Sequence, residues 1–185
     1  PASRFATDMS TTARPNRLAR TLARLNAVPA PLRPLVRNWV LRRAVPFTGT
    51  ARLDFAVMTP EKVEIAIANQ RRVQNHIQGV HAAAMTLLAE TATGMVVGMN
   101  VRDDCLPLAK ELKVQFKRRT QGDMRAVAQL TPQQRQLMQT QDKGEVVVPV
   151  TVTDASGEQP IVCEFIWAWV PAKKSTQPTP ASAPA

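Results

Sequence analysis

Asn75-His76-Ile77-Gln78-Gly79-Val80-His81-Ala82-Ala83-Ala84-Met85-Thr86-Leu87-Leu88-Ala89-Glu90-Thr91-Ala92-Thr93-Gly94 decides how the rest of the chain is read. Past His81, Glu90 is the only charge before Arg102. Small and apolar residues fill the remainder, so the pattern predicts a helix apolar on nearly every side and enclosed by the fold. A carboxylate inside such a helix is costly unless it is paired, hydrogen-bonded or neutralised. Glu90 is therefore the first candidate for chemistry.

Around this helix the texture is that of strands. Leu53, Phe55 and Val57 alternate with Arg52, Asp54 and Ala56, and Val63, Ile65 and Ile67 with Lys62, Glu64 and Ala66. Thr59-Pro60-Glu61 between them reads as a turn. Beyond the helix come Leu112, Val114 and Phe116 against Lys113, Gln115 and Lys117, then Met124, Ala126 and Ala128. Pro132 to Gln141 is polar and helical in character. Two last strands run from Glu145 to Thr153 and from Ile161 to Val170, joined by Asp154-Ala155-Ser156-Gly157. Short turns and period-two alternation imply an antiparallel sheet with one buried face. One long apolar helix and about six strands fit together as an α+β fold with the sheet wrapped around the helix.

Outside this unit, residues 1–12 read as a disordered leader and 13–45 as a basic amphipathic helical arm. Residues 46–171 make the folded domain, and 172–185 a disordered tail rich in Pro, Ser, Thr and Ala. In the arm Leu18, Leu22 and Leu25 recur at helical spacing between Arg17, Arg20 and Arg24. A second helical piece spans Leu35 to Arg43. Three roles suit the arm: a cover packed on the domain, a membrane-surface contact, or an organelle-targeting segment.

The formal net charge is +10 over 185 residues, and no acidic residue occurs from Met9 to Leu53. That balance favours an anionic partner. Nucleic acid is not expected, since zinc spacing, an aromatic RNA-binding signature and a helix-turn-helix pattern are all missing. Two cysteines, Cys105 and Cys163, give neither a disulfide framework nor metal-ligand spacing, so two thiols in a reducing compartment are expected. No apolar run is long enough to span a bilayer. The expected location is cytoplasmic, with organelle targeting or a peripheral membrane position through the arm as alternatives.

The order of strands and helix is that of the hotdog fold, and residues 75–94 resemble its thioesterase members. In phenylacetyl-CoA-type (PaaI-like) thioesterases an Asn precedes a His-Gly-Gly by six positions, and an acidic residue follows that His by nine. Asn75 to His81 is six and His81 to Glu90 is nine. An uncharacterised bacterial and fungal branch is more similar still. It combines Asn-His in the loop, His-Ala-Ala at the helix start, Leu-Ala-Glu-Thr-Ala-Thr-Gly within it and a closing Trp-Ala-Trp. The similarity covers roughly residues 46–171. Ala82 and Ala83 stand where the better-known enzymes have Gly-Gly; the backbone N–H at the helix start is retained by any residue but proline.

Spacing limits how these residues cooperate. Nine residues of helix give about 13.5 Å of rise and about 180° of rotation, so His81 and Glu90 of one helix cannot share a site. Two helices side by side and antiparallel would bring Glu90 of one to the helix start of the other. The spacing predicts a composite site in a homodimer, or in a dimer of dimers, as the resemblance also implies. There the Ala82 N–H would stabilise charge on a thioester oxygen at the positive end of the helix. Glu90 would act as general base or nucleophile. Asn75 would orient water or substrate, and Gly79 and Ala83 would contribute to substrate binding. His81 is either a participant or a helix-start residue held by local hydrogen bonds.

Lys117-Arg118-Arg119 would hold the phosphates of an acyl-CoA, or form a solvated strand end. Met85, Met95 and Met99 line an acyl tunnel or pack the core. Neither cofactor nor metal is expected. The residues point to hydrolysis of an acyl-CoA or acyl-carrier thioester, with a dimer that binds acyl-CoA or a related lipid without cleaving it as the alternative.

Overall fold

The computed structural model describes residues 15–172. The leader expected at 1–12 and the tail from 173 onward lie outside the described residues. Within them the order is α1 (Arg17–Asn26), α2 (Arg33–Ala44), α3 (Pro46–Ala51), β1 (Asp54–Met58), β2 (Lys62–Ile67) and α4 (Ala82–Gly98). Then follow β3 (Cys105–Phe116), β4 (Met124–Gln129), α5 (Pro132–Thr140), β5 (Gly144–Val148), β6 (Val150–Asp154) and β7 (Ile161–Pro171). Seven antiparallel strands form two hydrogen-bonded sheets, β1-β2-β4-β6 and β3-β7-β5, which wrap around one side of α4.

The extra strand comes from Pro149. The stretch from Glu145 to Thr153, read as one strand, is two. Pro149 lacks the N–H that a ladder needs, and there the chain leaves β7 for β4. The domain expected from residue 46 opens on a helix, Pro46–Ala51, before its first strand. Pro46 opens that helix at its first turn, where a missing N–H costs nothing.

The alternating strands bury the faces that the sequence marks. Val63, Ile65 and Ile67 on β2, Met124, Ala126 and Ala128 on β4, and Phe165, Trp167 and Trp169 on β7 are all buried. On β1 the register shifts between Phe55 and Val57, so that Met58 rather than Val57 reaches the core. Such a bulge moves the following side chains to the opposite faces.

The arm is a cover. Ala19, Leu22 and Leu41 are buried in the common core. Polar side chains of the arm saturate backbone groups in and beside the edge strand β1. Asn26 donates to Met58 O at 2.9 Å, Arg37 to Ala56 O at 2.8 Å and Arg42 to Leu53 O at 2.9 Å. Asn38 accepts from Phe55 N at 2.9 Å. An edge that would otherwise invite pairing with another chain is closed.

α4 is not enclosed on every side. Leu88, Ala89, Ala92, Val96 and Val97 are fully buried, but Ala82 and Ala83 are exposed and Thr86, Leu87 and Glu90 half-buried. These five share one stripe at helical spacing. Beside it, β3 is an edge strand of its sheet. Leu112 and Phe116 lie in register with the buried Phe165 and Ile161, yet remain 43% and 53% exposed.

Candidate functional site at the start of the central helix

The loop before α4 is built by Asn75. Its Oδ1 accepts from the N–H groups of Ile77 and Gly79, both at 3.1 Å, a turn that Asn forms readily. Thr120 holds the other side, its Oγ1 accepting from Val80 N at 3.1 Å. Gly79 is pressed so closely on this hydroxyl that a Cβ would lie 2.9 Å from it. The Asn75 Nδ2 amide makes no protein hydrogen bond among the described residues.

His81 caps the helix. Its Nδ1 accepts from Ala83 N at 3.0 Å, and its backbone N–H donates to Val73 O at 2.7 Å. The ring is thereby committed to holding the helix start. The N–H of Ala82, at the first helical position, has no partner among the described residues, as expected of an opening turn.

Asn75, Gly79, Ala82 and Met85 share one cleft of about 350 Å³ with Phe116, Lys117, Arg118, Arg119 and Thr120. The loop, the helix start and the basic strand end therefore converge. The three cations are not equivalent. Arg118 makes two 3.0 Å contacts to the carboxylate of buried Asp154 and a 2.7 Å bond to Ser156 Oγ. Among the described residues the Lys117 ammonium reaches only Gln115 Oε1, at 2.7 Å. Arg119 is exposed and has no acidic partner among the described residues.

His81 and Ala83 border a second, mostly apolar hollow of about 210 Å³ between α3 and α4, with Phe47, Arg72 and Leu87. A larger cavity of about 450 Å³, between α1 and the end of α4, is remote from all these residues; its charges, Arg20 with Asp103 and Arg102 with Asp104, pair among themselves.

Glu90 lines neither hollow by the helix start. It stands eight residues beyond Ala82, about 12 Å along the axis. Its carboxylate is half-buried, with no cation beside it among the described residues and a single long contact, 3.5 Å, from Thr91 Oγ1. Burial pushes this carboxyl above its ordinary value of 4.5, and the Thr91 hydroxyl opposes that only in part. Met95 and Met99 pack in and against the core, away from the cleft. Cys105 and Cys163 are free thiols, and no metal-binding cluster occurs among the described residues.

Thr120, Phe116 and Asp154 are the site residues that sequence reasoning passed over. Thr120 and Phe116 flank the Lys-Arg-Arg run, so proximity was a usable signal for them. Asp154 lies 36 residues from Arg118, and only the folded sheet joins them.

A helix wrapped by antiparallel strands, with a loop and a basic strand end converging on its start, defines a protein of the hotdog fold. The profile of the family described as Domain of unknown function (DUF4442) matches residues 35–170, and the chain belongs to that family. No curated protein is significantly similar. Among solved structures, a Pseudomonas aeruginosa protein of unknown function described as a "Probable Thioesterase" shares 23% identity. It superposes with a TM-score of 0.65, covering 71% of this chain and 91% of its own. A thioesterase family protein from Silicibacter pomeroyi shares 15% identity with a TM-score of 0.59, over 73% of this chain and 96% of its own. A thioesterase from Haemophilus influenzae shares 10% identity at 0.55, over 71% and 87%. At these identities the likeness establishes the fold.

Proposed function

We propose that the protein hydrolyses an acyl thioester, of CoA or an acyl carrier, at a site shared between two copies of the chain. The observation that carries this reading is Glu90, a half-buried carboxylate without a cationic partner among the described residues, on the open stripe of α4. A second copy, packed antiparallel over that stripe and the β3 edge, would bring its Glu90 to the Ala82 cleft. It would also cover Leu112 and Phe116. The similarity to structures called thioesterases supports the same reaction class.

In such a site the thioester carbonyl accepts a hydrogen bond from the Ala82 N–H, aided by the positive end of the helix. Glu90 of the other copy takes a proton from water, and the oxygen adds to the carbonyl carbon. Collapse of the intermediate breaks the C–S bond, and the thiolate recovers the proton from Glu90. The Asn75 amide would orient water or substrate. Lys117 and Arg119 offer charge to the phosphates, while Arg118 fixes the strand end through Asp154.

The methyl groups of Ala82 and Ala83 at the helix start favour a second reading, a dimer that binds acyl-CoA without cleaving it. Thiol release from short, long and aromatic acyl-CoAs, wild type beside Glu90→Gln, separates the two. Turnover that Glu90→Gln abolishes while acyl-CoA binding persists supports hydrolysis. Binding with no turnover by the wild type supports the second reading.

A further inference from the structure

We infer that the outer face of α2 docks the protein on an anionic lipid surface. Apart from Leu41, the helix does not bury the apolar stripe of an ordinary covering helix. Its inward side carries Arg37, Asn38 and Arg42, which are used on backbone groups along the β1 edge. That requirement explains a polar inner side. It does not explain the outer one, where Leu32, Leu35 and Trp39 are 53%, 69% and 67% exposed on successive turns. Lysines there would serve a water-facing helix better.

Charge identifies the occupant. Arg43, one turn beyond Trp39, is exposed, as is Arg24 on α1, and no acidic residue occurs from Met9 to Leu53. Asp54, the first acid beyond, is held by Asn38. A second copy seated on the same face would oppose like charges with no acid to neutralise them. A bilayer carrying anionic headgroups meets both demands: its interface takes Leu and Trp side chains, and its phosphates take the arginines. This face lies apart from the Ala82 cleft and Glu90, so the inference stands independently of the catalytic reading.

Trp39 supplies its own reporter, since Trp167 and Trp169 are buried. The full chain would be mixed with phosphatidylglycerol–phosphatidylcholine vesicles, and with phosphatidylcholine vesicles alone. Expected are a blue shift of tryptophan emission and co-sedimentation with the anionic vesicles only, weakened by added salt. A Leu35→Ser/Trp39→Ser double variant should bind at least tenfold more weakly, and so should Arg24→Glu/Arg43→Glu. Both should keep wild-type thiol release from a soluble short-chain acyl-CoA, if the wild type has it, and a wild-type circular dichroism spectrum. Absence of binding to anionic vesicles overturns the inference. So does a double variant that binds like wild type, or one whose mass in solution falls by half, which would assign the face to self-association.

Discussion

The indole N–H of Trp167 donates to the hydroxyl of Thr93 across 3.0 Å, in the buried core. That hydroxyl also lies 3.1 and 2.9 Å from the carbonyls of Ala89 and Glu90. The central strand β7 thus grips the turn of α4 that carries Glu90. At the next residue, a Cβ on Gly94 would fall 2.7 Å from the Trp167 ring, so the helix and indole are in direct contact.

Gly94→Ala should destabilise the protein by about 1–3 kcal/mol, because a rigid ring and a helix backbone must separate. Thr93→Val should cost about 1–3 kcal/mol by leaving the indole N–H without its acceptor. Urea unfolding followed by tryptophan emission measures both. A midpoint unchanged in either variant would contradict this packing.

The Leu-Ala-Glu-Thr-Ala-Thr-Gly run was legible as a buried helix because its residues are small and apolar, and the alternation on β2, β4 and β7 marked the sheet. The open stripe was not legible. Ala83, Thr86 and Leu87 have the same character as the buried Ala84, Thr91 and Leu88, and only the placement of β3 distinguishes them. The cleft was legible in its parts, since Asn75, Gly79, Ala82 and the Lys-Arg-Arg run do meet. The separate duty of Arg118 was hidden, because Asp154 comes to it across the sheet.

Arg118→Ala and Lys117→Ala should therefore behave differently. Burial alone would raise the Asp154 carboxyl, but the Ser156 hydroxyl, the N–H groups of Gln121 and Ser156, and Arg118 together hold it below its ordinary 3.8. A carboxyl depressed on folding stabilises above the ordinary carboxylate range, and that stability fades as the pH falls through the depressed value. Arg118→Ala should cost about 1–3 kcal/mol at neutral pH, with less loss in acid. Lys117→Ala and Arg119→Ala should leave the unfolding midpoint in place and raise KM for a CoA thioester by roughly threefold to tenfold. Equal effects of all three on KM alone would refute the division of labour.

Glu90 carries the opposite sign. A carboxyl whose pKa rises on folding favours the folded state below its ordinary value, and that contribution is lost as the pH rises through the raised value. Glu90→Gln should accordingly unfold at higher urea than wild type near neutral pH, with the difference shrinking in acid. If the residue is the base, turnover should fall along an acid limb centred above 4.5. A limb at or below that value would exclude a buried base.

The thiols should be quiet. Burial pushes Cys163 up to about 11 and raises Cys105 as well, so little thiolate exists near neutrality. Native protein should consume a disulfide reagent slowly at pH 7.5, and both cysteines should react at once in denaturant. Rapid reaction in the native state would show that β7 opens.

The β3 edge should carry the assembly. Leu112→Lys places a charge where a second copy would pack, and should convert a dimer to a folded monomer with turnover lost. Sedimentation and circular dichroism together read that outcome; a variant that stays dimeric and active would move the interface elsewhere.

The shared site is tested most directly by complementation between two inactive chains. His81 has φ −65° and ψ 144°, a conformation that suits the residue before proline, and proline is well tolerated at the first helical position. Ala82→Pro should remove the N–H while keeping the helix. Refolded alone, Ala82→Pro and Glu90→Gln should each be inactive. Refolded together in equal amounts, half of the dimers are mixed and each mixed dimer regains one intact site, so activity should return to about a quarter of wild type. No recovery, with mixed dimers demonstrated, would contradict a site built from Ala82 of one copy and Glu90 of the other.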